Sequence, residues 1–208
     1  MHFPALSATG RLVLLLTTPK ILPRIVVVWL GGNASYWPSV AECNLRQDLH
    51  ASRILFTSGV PCVHIPCLPV TDHLCATEAE IDRFVMRCGA SGGYLGGIYS
   101  ACHGDHVARS RARWDIGPVA WLVNPTWAES VVMHSPILTS ELTWSHDPAR
   151  HMIREVQYVY RDAIFRDFFR KLADVAGPAA HERPNAPADA ARGAVLDEDT
   201  TMRTKGER

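Results

Sequence analysis

The 208-residue chain lacks any excess of charge: 21 Lys and Arg stand against 21 Asp and Glu, and no segment carries a long basic block. Binding driven by phosphate neutralisation therefore has no electrostatic footprint, which argues against DNA or RNA as a partner. Long apolar runs are missing as well. The run Leu12 to Leu16 is closed by Thr17, Thr18 and Pro19 with no cleavage pattern after it, and nothing reaches the roughly 18 apolar residues of a membrane span. The six cysteines (43, 62, 67, 75, 88 and 102) form no CxxC pair. Their scatter through apolar segments suits buried reduced thiols rather than a zinc knuckle or a disulfide framework, and so a cytoplasmic setting. A phosphate loop is also absent. The glycine-rich stretch Cys88 to Gly97 lacks GxxxxGK[ST] and follows no strand, so a flexible connection is expected there.

What the chain does contain is an apolar fraction of 47%, ordinary for one globular domain with a sizeable core. A helix is expected after Thr9. Ile25 to Leu30 is continuously apolar and β-branched, as in a strand covered on both faces, and Gly31-Gly32 ends it. A polar loop with aromatics follows, then a helix over Leu45 to Thr57 with Gly59 as its C-cap. Val60 to Leu68 reads as a second buried strand, and Thr77 with Glu80 three residues on forms the capping box of the next helix. Near the end, Arg154 to Phe169 reads as a strand running into a helix packed on the sheet. This βαβα alternation predicts an α/β fold, a mostly parallel sheet flanked by helices. Residues 173–208 are rich in Ala, Pro, Gly and charge, and are expected to be a disordered tail behind a domain at 1–172.

In open α/β sheets ligands bind beyond the carboxyl ends of the strands, so the loop after Gly32 is the first place to look. It holds Asn33, Glu42 and Asn44, side chains suited to a hydroxyl-rich ligand, beside Tyr36 and Trp37, which can cover an apolar sugar face or a base. Glu42 and Asn44 are equally placed to cap the helix beginning near Leu45. Farther along, Asp115 stands between Trp114 and an apolar run. A carboxylate there needs a helix N-terminus, an arginine or a metal.

The segments Ile25 to Pro61, Trp114 to Pro125 and Arg154 to Phe169 resemble the carboxyl-terminal part of the inosine-uridine-preferring nucleoside hydrolases, and the similarity runs from about Ala5 to Leu172. The resemblance implies a partial nucleoside hydrolase-like fold acting on ribonucleosides, small-molecule partners, and releasing ribose and free base. It also implies dimers or tetramers. In the family an E-x-N pair followed by Asp grips the ribose hydroxyls, and Glu42, Asn44 and Asp48 stand at those positions. A late Asp ligates calcium, matched by Asp115. A threonine ligating through its carbonyl is matched by Thr9, where the family's T-N pair reads Thr9-Gly10. Calcium takes six to eight oxygens, which would offset the desolvation of Asp115; capping its own helix is the alternative.

Two departures from the family pattern bear on activity. The D-x-D-x-x-x-D-D cluster, which supplies most calcium ligands and the carboxylate that activates water, is absent from these 208 residues. The expectation is an N-terminally truncated hydrolase with impaired turnover and no catalytic residue that can be named, or an inactive ribose-binding or interaction protein. In addition, Trp114 stands where many members carry a proton-donating histidine. An indole cannot act as a general acid near neutral pH, though it can stack on a base. His103 and His106 are alternative donors or structural residues, and Ser145 to Pro148 is expected to be turn chemistry with no catalytic role.

Overall fold

The computed structural model describes residues 20, 24–101 and 109–177. The expected N-terminal helix, Thr9, Gly10, His103, His106 and most of the expected tail lie outside the described residues. Packing divides the described residues into two compact units, one of residues 20, 24–75 and 112–161, the other of 76–101, 109–111 and 162–177.

The first unit is built on a four-stranded sheet. Strands β1 (Val27–Leu30), β2 (Cys62–Ile65), β5 (Ala128–His134) and β8 (Met152–Val159) lie in the order β1-β2-β8-β5. Pairs β1-β2 and β2-β8 are parallel, and β5 joins antiparallel at one edge. This is the α/β, mostly parallel arrangement expected. Strand β2 is buried at all four positions, as a strand flanked by two partners and covered on both faces must be. Strand β1 departs from expectation. It starts at Val27 rather than Ile25, and among the described residues it pairs only with β2, so Val26 is 60% exposed and Val27 to Trp29 are half-buried.

The helix expected over Leu45 to Thr57 is two helices, α1 (Cys43–Gln47) and α2 (Leu49–Thr57), because Asp48 leaves helical backbone (φ −151°, ψ 89°). Its side chain accepts from Ala51 N at 2.9 Å and caps α2. Gly59, with φ +76°, follows α2 as expected. Phe56 from α2 packs edge-on to Trp29 and Trp144 (centroids 5.6 and 5.0 Å), and Cys62 and Ile153 from the sheet complete that core. Each such fully buried side chain contributes about 1.5–3 kcal/mol. A short helix α5 (Ile116–Val123) and the small hairpin of β6 (Ile137–Leu138) and β7 (Trp144–Ser145) complete this unit. His146 to Pro148 sits in the expected turn, with Ala149 N donating to Asp147 Oδ1.

Strands β3 (Cys75–Thr77) and β4 (Ser110–Ala112) pair as a separate two-stranded sheet where the chain enters and leaves the 76–111 segment. In the second unit, α3 (Glu78–Phe84) carries the expected capping box between Thr77 and Glu80. The glycine-rich stretch corrects an expectation: it is a helix, α4 (Gly89–Ala101), not a flexible connection. Its glycines serve close approach, since a Cβ at Gly92 would lie 2.1 Å from Val85 O and one at Gly96 2.1 Å from Met86 Cγ. Helix α6 (Arg161–Ala176) follows β8 directly and stacks Phe169 on Phe84 at 4.9 Å. It also runs four residues beyond the domain end expected at Leu172. No described helix is long and apolar enough to cross a membrane.

Candidate functional site

A cleft of about 410 Å³ opens in the first unit beyond the carboxyl ends of β1 and β2, where an open α/β sheet places its ligands. Asn33, Glu42, Asn44, Cys67, Trp114 and Asp115 line it. The turn after β1, the start of α1, the turn after β2 and the start of α5 each supply part of the wall. Tyr36 and Trp37, expected to cover a sugar or base, are not among the lining residues; they are 58% and 37% exposed.

Glu42 is the N-cap of α1. Its Oε1 accepts from Asn44 N at 2.9 Å, and its Oε2 from Gly32 N at 2.9 Å and Leu45 N at 3.2 Å. The capping alternative raised from the sequence therefore describes its bonds. A carboxylate offers about four lone-pair sites. Three amides occupy three of them, leaving about one for a ligand hydroxyl. Burial, then the neighbouring Glu42 carboxylate, with the charges of Asp115 and Asp72, push the Cys67 thiol up. Asn44 is exposed and turns Nδ2 to Leu30 O at 3.3 Å. Asn33, 4% exposed, donates from Nδ2 to Ser39 O at 2.7 Å and accepts from Leu68 N at 3.1 Å, tying the two turns that form the cleft floor.

Asp115 is exposed, so the desolvation inferred from its apolar neighbours does not arise. It stands at the N-cap of α5, yet its side chain makes no capping bond, which also sets aside the capping alternative. The exposed Trp114 beside it offers an aromatic wall. As for calcium, among the described residues no group of three or more His, Cys, Asp or Glu converges to hold a metal. With the Glu42 oxygens committed to amides and Thr9 outside the described residues, this donor set does not fit a cation needing six to eight oxygens.

Sequence reasoning missed the pair beneath the cleft. His64 and Glu155, both fully buried, lie opposite each other in the parallel register of β2 and β8, His64 Nδ1 3.1 Å from Glu155 Oε2. His64 inside the apolar run of β2 was the available signal, since a buried polar side chain requires a partner.

The fold and cleft define an α/β protein with an open cleft at its strand ends. No family model matches the chain. A protein of Shigella boydii serotype 4 (strain Sb227) assigned as the pyrimidine-specific ribonucleoside hydrolase RihB is 40% identical over 78 residues, 36% of this chain and 31% of that protein. Among solved structures, the inosine-uridine preferring nucleoside hydrolase of Bacillus anthracis superposes with TM-score 0.59 at 18% identity, covering 79% of this chain and 57% of its own. The purine-preferring ribonucleoside hydrolase of Gardnerella vaginalis gives 0.60 at 20% identity, covering 81% and 58%, and the plant nucleoside hydrolase PpNRh1 gives 0.58 at 15%, covering 86% and 70%. The chain thus matches about a third of its curated relative and somewhat over half of the first two solved structures. These likenesses show that the chain has the fold of the nucleoside hydrolases.

Proposed function

We propose that the cleft binds a ribonucleoside, with its ribose toward Glu42 and Asn44 and its base against Trp114. The observation that carries this reading is the meeting of those residues with Asn33 and Asp115 in one cleft of about 410 Å³, within the usual range for small-molecule pockets. Hydroxyls match the amide of Asn44 and the remaining acceptor site of the Glu42 carboxylate, while the indole face suits a nucleobase.

The reaction class that fits this ligand is hydrolysis of the N-glycosidic bond to ribose and free base. That chemistry needs a carboxylate to activate water and support for the oxocarbenium-like transition state. Among the cleft-lining residues Glu42 is committed to capping and Trp114 has no titratable proton to give; Asp115 is the remaining carboxylate of the lining, with no second acid beside it to protonate the leaving base, so these groups support binding better than bond cleavage. Nucleoside binding therefore comes first, with slow or absent turnover. The unpaired thiols of Cys43, Cys62, Cys67, Cys75 and Cys88 support a reducing, cytoplasmic setting, and light scattering tests the homo-oligomer implied by the resemblance.

Titration calorimetry of the full chain with inosine and with uridine tests the binding, and a reducing-sugar assay with calcium or with a chelator tests turnover. Binding without sugar release is the expected result. Release at enzymatic rates shifts the conclusion to a hydrolase, and the absence of both binding and release overturns the reading.

A further inference from the structure

We infer that His64 and Glu155 are positioning residues that hold the two ends of the turn facing the cleft. This rests on the reading of that cleft as the ligand site. The turn runs from Gly31 to Ser35. At its start, His64 Nε2 meets Gly31 O at 2.8 Å; at its end, Ser35 Oγ donates to Glu155 Oε1 at 2.8 Å and Ser35 N reaches Glu155 Oε2 at 3.2 Å. His64 and Glu155 are joined to each other, so one buried pair brackets the turn. Between those anchors lie Gly32, whose N–H holds the Glu42 carboxylate, and Asn33, which lines the cleft.

The geometry leaves the pair little freedom. Both nitrogens of the imidazole face oxygen acceptors, Gly31 O and the Glu155 carboxylate, so the ring is held at both ends. Its faces are boxed by Trp29, stacked at 5.8 Å, and by the edges of Phe56 and Trp144 at 5.3 and 6.0 Å. Gln157 Nε2 donates to Glu155 Oε1 at 2.7 Å from the same strand, satisfying the carboxylate further. Stability does not account for the pair, because well-packed apolar residues of similar volume commonly match or exceed a buried ion pair. What an apolar pair lacks is a directional hold on Gly31 and Ser35. Gly32 makes that hold matter: it sits at φ +67°, and a Cβ there would come within 2.8 Å of Leu45 Cδ1, so the turn fits against α1 in one narrow arrangement.

The experiment compares His64→Leu with Glu155→Gln. The glutamine of the second variant still accepts from Ser35 through its oxygen and keeps a polar partner for His64 Nδ1, so Glu155→Gln is the conservative change. Amide hydrogen exchange by NMR is read at Gly32, Asn44 and Leu45, the donors to Glu42, against helix α6 in the other unit as a control for global opening. In His64→Leu those three amides exchange at least about tenfold faster while α6 is unchanged, the loss of roughly one buried hydrogen bond in local opening; in Glu155→Gln they stay within about threefold. Inosine affinity follows the same order. If His64→Leu does not fold, Ser35→Ala takes its place, and faster exchange at Gly32 with α6 unchanged is expected. A folded variant with unchanged exchange at Gly32, Asn44 and Leu45 overturns the inference. If the wild-type chain binds no nucleoside, the functional reading falls, and exchange still decides the positioning role.

Discussion

Replacing Glu42 by alanine should destabilise the fold even with no ligand present. The variant removes the acceptor of three backbone N–H groups, those of Gly32, Asn44 and Leu45. Loss of an N-cap costs about 1 kcal/mol, and leaving a buried donor such as Gly32 N without a partner costs about 1–3 kcal/mol more. Glu42 is only half-buried, so water recovers part of this, and a net loss of about 2 kcal/mol is expected. Glu42→Gln keeps an oxygen acceptor and should lose about half as much. Urea unfolding followed by fluorescence measures both, with an unchanged m-value confirming that the change is one of stability. A Glu42→Ala chain within about 0.5 kcal/mol of wild type would show that the carboxylate is free in solution, and the capping geometry would be wrong.

Other parts of the chain carry three more predictions. Burial raises the Glu155 carboxyl, but the bonds and charge of His64 with the bonds of Ser35 and Gln157 outweigh it and hold the group below its ordinary value. The stabilisation is therefore complete above the unfolded-state pKa and is lost as pH falls through the folded one, so melting temperature should drop from about pH 4.5 downward, and less steeply in Glu155→Gln. Gly92→Ala should destabilise by more than about 2 kcal/mol because its Cβ meets Val85 O, whereas Gly97→Ala, with nothing within 4 Å, should stabilise by up to about 1 kcal/mol; paired denaturation curves distinguish them. Burial pushes the Cys62 thiol up to about 12, so maleimide at neutral pH should label exposed Cys43 and leave Cys62 unmodified by peptide mass mapping.

The strands and caps were legible because each has a local cause. The apolar run at β2 requires cover on both faces, and Thr77 with Glu80 closes a box that needs no tertiary context. The cleft was legible in part: Asn33, Glu42, Asn44 and Asp115 do share it, yet their bonds were not readable. Whether Glu42 faces a ligand or its own helix depends on Gly32 N, ten residues earlier, and the exposure of Asp115 depends on how α5 is seated. The His64–Glu155 pair spans 91 residues and exists only through the register of β2 with β8, which no local pattern encodes. The glycine-rich helix was misread for a related reason, since its propensity is poor and only its neighbours make it helical.

Helix α4 is accordingly a guest of the surface it leans on. Five of its thirteen residues are glycine, an intrinsic handicap of about 4–5 kcal/mol against alanine, too much for an isolated peptide of that length to overcome. Its order is borrowed from the Val85–Met86 turn, and whatever loosens that turn unwinds the whole segment at once rather than fraying it from an end. Between β3 and α6, a protease sampling the native protein should therefore cut between Gly89 and Ala101 well before the sheet yields.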